Sequence, residues 1–433
     1  MMNADLKKIA FICHFSNEDI RERLHLKSFS FGNFFRGKLS RPLINYKDSA
    51  IWISDYIEEF KKNTQFEYHI IAPHIGMKDD IQNFSFSNIN YHFFKCDYNF
   101  FKMKINSRFK IEERNNYQDN RRRIIKIIDN IRPDLICLCG AENPYYSLSI
   151  LDISDIPILT LMQTALLNPQ LQRSRADISP FRIEAEAKVL RKTKYIGTSS
   201  ALYGQLVKAI NPNAIFLRNS FPSHQPPRFK VEKSFDFVFF SSVLTKNKGI
   251  EDTISAFCKV SVTHPETTLD VIGSYSDSYL QQLYGIIQQV NPNAKISFEG
   301  HFSNINDMYR QVQKAKYVVI PGITAPLNST VRESMLLGMP TIVYETTATP
   351  PINKEKQCLL TAKMQNVSDL TRCMSFAYEN PNEMYAIAKN GKEYALRVFS
   401  NDAIGKQLIS CFHSIIDHYY YRKEIPENLL LKF

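Results

Sequence analysis

Between residues 235 and 345, short runs rich in apolar and β-forming residues alternate with segments of helix length. The apolar runs lie at 235–242, 267–273, 294–300, 316–322 and 340–345, and the helix-length segments at 248–262, 276–290, 304–315 and 329–338. Strands that are apolar on both faces, each followed by an amphipathic helix, indicate a parallel sheet covered on both sides. The pattern therefore predicts a doubly wound α/β domain, which we place at 236–400.

The first half of the chain shows the same alternation less regularly. Candidate strands lie at 8–15, 67–73, 89–95, 134–140, 156–162, 194–199 and 214–219, and candidate helices near 46–62, 117–130, 182–193 and 200–209. We predict a second Rossmann-like domain at 1–222 and a linker at 223–235, where proline and charged residues accumulate. Residues 401–433 are expected to form a helix that packs back on the N-terminal domain.

The predicted fold class is thus α/β, with two Rossmann-like domains in tandem and parallel doubly wound sheets facing a central cleft. Tandem domains of this kind usually bind a ligand between the carboxyl ends of their sheets. That geometry suits both an enzyme and a two-lobed binding protein, so particular residues must decide between them.

Charge and cysteine content indicate what kind of partner and which cellular compartment to expect. The net charge is +11, and residues 1–220 carry 32 Lys and Arg against 23 Asp and Glu, so an anionic partner is expected to meet the first half. The eight cysteines include no C-x-x-C pair, which indicates a reduced, cytoplasmic protein. The first apolar run reads as a strand rather than a signal peptide, and no run approaches the roughly 18 residues of a membrane span.

A strand-to-helix turn in the second half could bind phosphate. Ser241, Ser242, Lys246 and Lys248 combine hydroxyls, amides and ammonium groups near a helix N-terminus. The alternative is a solvated lysine pair on a surface turn. Gly273 ends the next strand and would let a ligand approach the backbone, although many strands end in glycine.

The stretch 326–345 places two charges, Arg332 and Glu333, near the start of an apolar helix. Thr330 and Glu333 fit the capping-box pattern, in which hydroxyl and carboxylate satisfy backbone donors. Polar residues also lie at the predicted N-terminus of this helix, directly after a buried strand: Asn328, Ser329 and Thr330. A helix N-terminus in that position commonly binds anions. Both interpretations remain open at this stage.

The order of these motifs, from "KNKGI" and "VIG" through "FEGHF" to "RESMLLGMPTIV", resembles the nucleotide-sugar domain of GT-B fold glycosyltransferases. It is most similar to the retaining group-1 (family 4-like) enzymes that build bacterial capsules and lipopolysaccharides. The resemblance covers about residues 235–400 and extends to the first half only in layout.

The resemblance implies roles for individual residues. Lys248 would bind the donor diphosphate, with Lys246 supplying a second charge because Val243 stands where the family has arginine. Glu333 would bind the nucleotide ribose. The family's other glutamate, which contacts the donor sugar, corresponds to Ala325. Loop amides at Asn328, Ser329 and Thr330 would hold the diphosphate.

Polar residues at predicted strand ends of the first half are candidates for acceptor binding or acid/base chemistry. Glu142 is the first choice for a catalytic group and His14 the second, with Lys248 completing the catalytic set. Ser16, Asn143 and Gln163 are candidate acceptor contacts. Each of these could instead be an ordinary turn or surface residue.

Two basic and aromatic stretches, 28–41 and 98–110, suit an anionic bilayer or a lipid-diphosphate acceptor. They could equally be a loop and an edge strand packed on the core. No nucleic-acid recognition motif accompanies them, so no nucleic-acid partner is expected.

The sequence therefore predicts a cytoplasmic, membrane-peripheral glycosyltransferase that moves a hexose-type sugar from a nucleotide-diphosphate sugar to a bacterial surface glycan or lipid-linked acceptor. No metal and no cofactor beyond the donor substrate are expected. Alternatives are a nucleotide-sugar epimerase of the same fold and a non-catalytic two-lobed sugar-binding protein.

Overall fold

The structure, a computed structural model, describes residues 6–27, 46, 48–96, 113, 115–174, 178–323 and 327–433. The stretches 28–41 and 98–110 and the Ala325 position lie outside these residues. The chain divides into two compact units: residues 1–222 with 404–433, and residues 223–403. Among the described residues, no helix combines the length and the apolar character needed to cross a membrane.

The first unit is built on an eight-stranded sheet. Its strands are β1 (Lys7–Ile12), β2 (Phe66–His74), β3 (Ile81–Phe86), β4 (Ile89–Lys95), β5 (Leu135–Cys139), β6 (Ile158–Leu161), β7 (Tyr195–Thr198) and β8 (Ile215–Arg218). Their order is β3-β4-β2-β1-β5-β6-β7-β8, and every pairing is parallel except that of β3 with β4.

Helices cover both faces of this sheet. They are α1 (Glu18–Arg21), α2 (Ile51–Lys61), α3 (Gln118–Ile131), α4 (Pro144–Ser147), α5 (Pro169–Ser174), α6 (Pro180–Lys192) and α7 (Ala201–Ile210). The side chains of β5 show why both faces need cover: Leu135 and Cys137 enter one hydrophobic cluster, whereas Ile136 and Leu138 enter the other. A strand buried on both faces is the expected core of a parallel sheet.

The second unit has a six-stranded, wholly parallel sheet. Its strands are β9 (Phe235–Val243), β10 (Thr268–Ser274), β11 (Lys295–Gly300), β12 (Ala315–Val319), β13 (Thr341–Tyr344) and β14 (Leu360–Ala362), in the order β11-β10-β9-β12-β13-β14. Its helices are α8 (Ile250–Thr263), α9 (Asp277–Val290), α10 (Ile305–Val312), α11 (Ser329–Leu337), α12 (Thr349–Ile352), α13 (Val367–Glu379) and α14 (Pro381–Val398). The prediction of two parallel-sheet Rossmann-like units is confirmed.

The last helix, α15 (Asn401–Tyr421), contributes to the core of the first unit from Ile404 onward. Leu408, Phe412 and Ile415 are buried in the same cluster as Phe60 of α2. The ring centroids of Phe60 and Phe412 lie 6.2 Å apart. The burial of this apolar stripe is what fastens the end of the chain to the first unit.

Candidate functional site

The turn between β9 and α8 presents the predicted phosphate-binding lysines. After β9 ends at Val243, a 3₁₀ turn runs from Lys246 to Lys248, and Gly249 leads into α8. The carbonyl oxygen of Asn247 accepts a hydrogen bond of 3.1 Å from the backbone N–H of Ile323, which follows β12. The turn is therefore fixed to the loop that leads towards α11.

Gly249 is required by this turn. Its φ is +87°, and a Cβ built at this position would overlap the carbonyl oxygen of Pro321. A left-handed conformation costs an ordinary residue about 1–3 kcal/mol even without such an overlap. The close packing of the turn on Pro321 therefore depends on the missing side chain.

We expect Gly249→Ala to lower the free energy of unfolding by at least about 1–3 kcal/mol, since strain and overlap both act on the folded state. Urea unfolding followed by circular dichroism would measure the change. Gly285→Ala is the matched control, because Gly285 lies inside α9 with nothing within 4 Å of an added Cβ. Alanine there should be neutral or stabilise the helix by up to about 1 kcal/mol. Equal losses in both variants would contradict the prediction.

The two lysines of the turn differ in environment. The Lys246 side chain is 76% exposed and lies 3.7 Å from the Glu251 carboxylate, whereas Lys248 is half-buried. Burial lowers the pKa of Lys248, and the nearby charge of Glu333 partly opposes that effect. Lys248 is thus a partly desolvated cation, whose charge acts more strongly on a ligand than that of a solvated lysine.

The serines and the glycine of the two neighbouring strand ends have distinct surroundings. Ser241 is buried and Ser242 exposed. At Gly273, φ is +151°, and an added Cβ would lie 2.5 Å from the carbonyl oxygen of Ser241. Gly273 therefore has a packing reason of its own, namely the close approach of β10 to the end of β9.

The tip of α11 corrects one interpretation of the sequence. Asn328 is the N-cap residue, and Ser329 and Thr330 already belong to the helix. The Thr330 carbonyl accepts a hydrogen bond of 2.7 Å from the Ser334 hydroxyl. The capping-box interpretation of Thr330 and Glu333 is therefore wrong, because the helix begins before the position at which Thr330 could cap it.

Glu333 instead turns into the protein, where it is 8% exposed. Burial raises its pKa to about 7, while the Tyr309 hydroxyl, Arg332 and Lys248 lower it. Lys248 and Glu333 lie 85 positions apart in the sequence, and the fold brings them within electrostatic reach of each other. The second unit thus joins a cation, a carboxylate and the N-terminal tip of α11 in one place.

In the first unit, Glu142 follows β5 after a tight turn at Gly140. The φ of Gly140 is +87°, and a Cβ there would lie 2.6 Å from each carboxylate oxygen of Glu142. The glycine thus allows the Glu142 carboxyl to fold back over the strand end. Asn143 Nδ2 donates to Glu142 Oε1 at 3.2 Å and to the Tyr146 hydroxyl at the same distance.

The Glu142 carboxyl is buried, and its pKa lies far above the usual value for glutamate. It is 6% exposed, and its Oε2 atom is buried without a hydrogen-bond partner. The pKa of Glu142 is raised to about 8, mainly by burial and also by Glu186, while its own backbone N–H and Arg182 act to lower it. A buried carboxyl that titrates near neutral pH is a typical acid/base candidate.

The other candidate residues at strand ends of the first unit have different surroundings. The ring of His14 packs edge-to-face on that of Tyr145 in α4, with centroids 5.9 Å apart, and burial lowers the pKa of His14. The Ser16 hydroxyl accepts a hydrogen bond of 3.0 Å from Arg21. Gln163 is exposed. The structure therefore places His14 against Tyr145 of the short helix that follows Glu142, whereas Ser16 has a local bonding role.

Sequence reasoning missed Tyr309, Arg182 and Glu186. The carboxylate of Glu186 accepts hydrogen bonds of 3.0 and 2.9 Å from the backbone N–H groups of Leu166 and Leu167. Arg182 donates to the backbone carbonyl of Glu142 through Nη2 at 3.2 Å. The sequence offered one signal for Glu186, namely a charged residue among the apolar positions of the predicted helix at 182–193.

Residues 224–394 match the model of the family described as glycosyl transferases group 1. The second unit therefore holds a group 1 glycosyltransferase domain. No curated protein matches the sequence.

Solved structures match across both units. Sucrose-phosphate synthase from Thermosynechococcus elongatus is 13% identical, with a TM-score of 0.67 over 94% of this chain and 98% of its own. HepE from Anabaena, solved with UDP and glucose, is 12% identical, with a TM-score of 0.60 over 94% of this chain and 100% of its own. A putative UDP-N-acetylglucosamine 2-epimerase from Listeria monocytogenes is 11% identical, with a TM-score of 0.57 over 98% of this chain and 100% of its own. These similarities show the GT-B fold.

Proposed function

We propose that the protein transfers a hexose from a nucleotide-diphosphate sugar to a hydroxyl of a bacterial surface glycan or lipid-linked acceptor. The observation that carries this proposal is that Lys248 and Glu333 lie within electrostatic reach of each other beside the tip of α11, in the region that matches the group 1 glycosyltransferase model. HepE, which shares the fold, was solved with UDP-glucose, which supports a uridine donor as the first to test.

On the donor side, Lys248 is assigned to the diphosphate and Glu333 to the ribose hydroxyls. Negative charge grows on the diphosphate as the bond between the anomeric carbon and the β-phosphate oxygen breaks. Lys248 and the amides at Ser329 and Thr330 stabilise that charge, since α11 directs its free N–H groups to its tip. Lys246 adds a weaker, solvated charge, and Ser241, Ser242, Gly273 and Asn328 complete the assigned donor contacts.

On the acceptor side, an acceptor hydroxyl forms the new bond to the anomeric carbon, and its proton passes to Glu142 in the ionised form. His14 is the second acid/base candidate, and its lowered pKa keeps it neutral near pH 7. Ser16, Asn143 and Gln163 are assigned to acceptor binding. A buried carboxyl with a pKa near 8 is a stronger base than a solvated glutamate once ionised.

The finer features rest on the family resemblance. Retention of anomeric configuration is inherited from it, and it requires the acceptor hydroxyl to attack the anomeric carbon from the face that the diphosphate leaves. Metal independence is proposed because Lys248, Lys246 and the helix tip supply positive charge that a divalent cation would otherwise supply. A cytoplasmic location, with peripheral membrane contact through 28–41 and 98–110, remains a prediction from the sequence.

A panel of UDP-, GDP- and CMP-sugars tests the proposal. The expected result is a higher melting temperature with one donor class and slow release of the free nucleotide, both lost in Glu333→Ala. An epimerase, which the Listeria neighbour keeps as the second candidate, would change the sugar without releasing nucleotide, as proton NMR would show. A melting shift with neither reaction would indicate a sugar-binding protein, and no response to any donor would overturn the nucleotide site itself.

A further inference from the structure

Helix α6 carries two charged side chains that are turned towards the interior of the first unit. Arg182 and Glu186 lie four positions apart, so they occupy the same face of the helix on consecutive turns. Arg182 is half-buried, and Glu186 is 0% exposed. Burying a charge is costly unless it is paired or hydrogen-bonded, so these two side chains must have specific partners.

Glu186 holds the loop that follows β6, residues 162–168. Its Oε1 atom accepts a hydrogen bond of 3.0 Å from the Leu166 N–H, and its Oε2 atom accepts one of 2.9 Å from the Leu167 N–H. The Leu166 carbonyl in turn accepts a hydrogen bond of 2.6 Å from Nε2 of Gln172 in α5. Side chains from two helices therefore restrain the backbone of this loop.

Arg182 holds the loop that follows β5, residues 140–143. Its guanidinium donates to the Glu142 carbonyl from Nη2 at 3.2 Å and from Nε at 3.4 Å. The two loops leave neighbouring strands side by side, because the Gly140 N–H still donates to the Leu161 carbonyl at 2.9 Å. Helix α6 thus hydrogen-bonds to both loops just beyond the point at which the strands end.

We propose that Arg182 and Glu186 act as a brace between the two loops: they fix the backbone that carries Glu142 relative to the loop that carries Gln163, and so position the Glu142 carboxyl for an acceptor hydroxyl. Both are positioning residues, since they act through the loops and need no contact with the acceptor. The inference rests on the proposed function, because it takes Glu142 as the base that receives the acceptor proton.

The place of the Glu142 carboxyl depends on its backbone. Its Oε1 atom accepts a hydrogen bond from Asn143, the next residue along the chain, so the carboxyl and this donor move together with the loop. A general base must come within hydrogen-bonding distance of the proton that it removes, and a displacement of about 1 Å can cost about 100-fold in rate. A helix that anchors both loops therefore controls the rate without touching the reacting atoms.

The test uses substitutions that keep each charge and change its reach. Glu186→Asp shortens the side chain by one methylene, so that its carboxylate no longer reaches both N–H groups. Arg182→Lys replaces the planar fork of donors with a single ammonium group. The readout is hydrolysis of the nucleotide sugar that the donor panel identifies, starting with UDP-glucose. Water then takes the place of the acceptor: its oxygen bonds to the anomeric carbon, its proton passes to Glu142, and the bond to the β-phosphate oxygen breaks to release UDP.

Glu186→Asp should lower kcat for hydrolysis about 10- to 100-fold, and Arg182→Lys about three- to tenfold, the effect of one weakened hydrogen bond. The KM for the donor should stay within about twofold, because hydrolysis is slow enough for KM to report binding and the assigned donor contacts lie in the second unit. The pH midpoint of the rise in rate should stay in place, since both charged side chains that act on the pKa of Glu142 keep their charge.

Glu184 and Lys188 provide a matched control pair on the same helix. They are also oppositely charged and four positions apart, with 2.8 Å between Lys188 Nζ and Glu184 Oε1, but their side chains are 64% and 50% exposed, respectively. Glu184→Asp and Lys188→Arg should leave kcat, KM and the pH midpoint unchanged.

The double variant that combines Glu186→Asp with Arg182→Lys separates a brace from two independent contacts. Release of either loop already removes the alignment, so the double variant should lose about as much kcat as Glu186→Asp alone. Losses that multiply would show that each side chain serves only its own loop, which would overturn the inference. Effects no larger than those of the control pair, or a loss confined to the KM for the donor, would overturn it as well.

Folding and function are measured separately. Circular dichroism gives the folded fraction of each variant, and a purely structural loss would disappear once kcat is corrected for that fraction. Should Glu186→Asp fail to fold, Arg182→Lys and its pH midpoint test the inference alone. A wild type that hydrolyses none of the donors would sink the proposed function and the inference with it, whereas an active wild type with unimpaired variants would sink the inference only.

Discussion

Replacing Lys248 with alanine is expected to lower kcat/KM for the nucleotide-sugar donor about 100- to 1000-fold, the usual effect of removing one preorganised charge from a site where charge develops. Lys248 is half-buried, so water screens its charge less than that of a surface lysine. Its loss also removes one of the groups that lower the pKa of Glu333, so the Glu333 carboxylate is less ionised at pH 7. Steady-state kinetics with the donor found in the panel would measure the loss.

Lys246→Ala provides the internal comparison, because this lysine has the same charge and lies two residues away. Its side chain is largely solvated, and its separation of 3.7 Å from Glu251 is that of a loose ion pair. Exposed charges of this kind contribute about 0–1 kcal/mol, so the expected loss is less than about fivefold. Equal losses for the two lysines would show that Lys248 contributes only net charge, and no loss for Lys248→Ala would remove it from the donor site.

The elements of the fold that follow hydrophobic pattern could be predicted. The strand predicted at 134–140 is β5 (Leu135–Cys139), and the helix predicted near 117–130 is α3 (Gln118–Ile131). Strand β3 (Ile81–Phe86) was missed. It lies at the edge of the sheet, pairs antiparallel with β4 and leaves Asn83 and Ser85 exposed, so it has no continuous apolar run to detect.

The site was predictable only where a motif marks the chain. Lys248 and Glu333 follow from the resemblance, and the structure brings them together. Tyr309 could not be found in this way, because a lone tyrosine on the apolar face of an amphipathic helix has the appearance of an ordinary core residue. Its effect on the pKa of Glu333 depends on the packing of α10 near α11, which the sequence does not reveal.

The capping-box error has the same origin. Local spacing between Thr330 and Glu333 satisfied the motif, but α11 begins at Ser329 with Asn328 as its N-cap residue. Because the helix begins at Ser329, Glu333 lies beyond its first turn, where Tyr309 and Lys248 both act to lower its pKa. The local pattern drew attention to Glu333, but it did not fix where the helix begins.

Glu142→Gln is expected to lower kcat/KM about 100- to 10,000-fold, the contribution of a well-placed general base, while preserving the size of the side chain and an acceptor for Asn143. In the wild type, a base with a pKa near 8 makes the rate rise with pH up to that value, because only the ionised form accepts the acceptor proton. The glutamine variant should lose this rise. A pH series of kcat/KM under saturating acceptor would measure both effects.

Two neighbours of Glu142 should move this pH dependence in opposite directions. Glu186 raises the pKa of Glu142 and Arg182 lowers it, so Glu186→Gln should shift the rise to lower pH and Arg182→Gln to higher pH. Glu186→Gln also replaces one of the two oxygens that accept from the Leu166 and Leu167 N–H groups with an NH2 group that cannot accept, so melting temperatures must accompany the kinetics. Loss of stability alone would change the amplitude of the rate and leave its midpoint in place. Opposite shifts of the midpoint would therefore identify Glu142 as the titrating base, and an unchanged midpoint in both variants would exclude it and turn attention to His14.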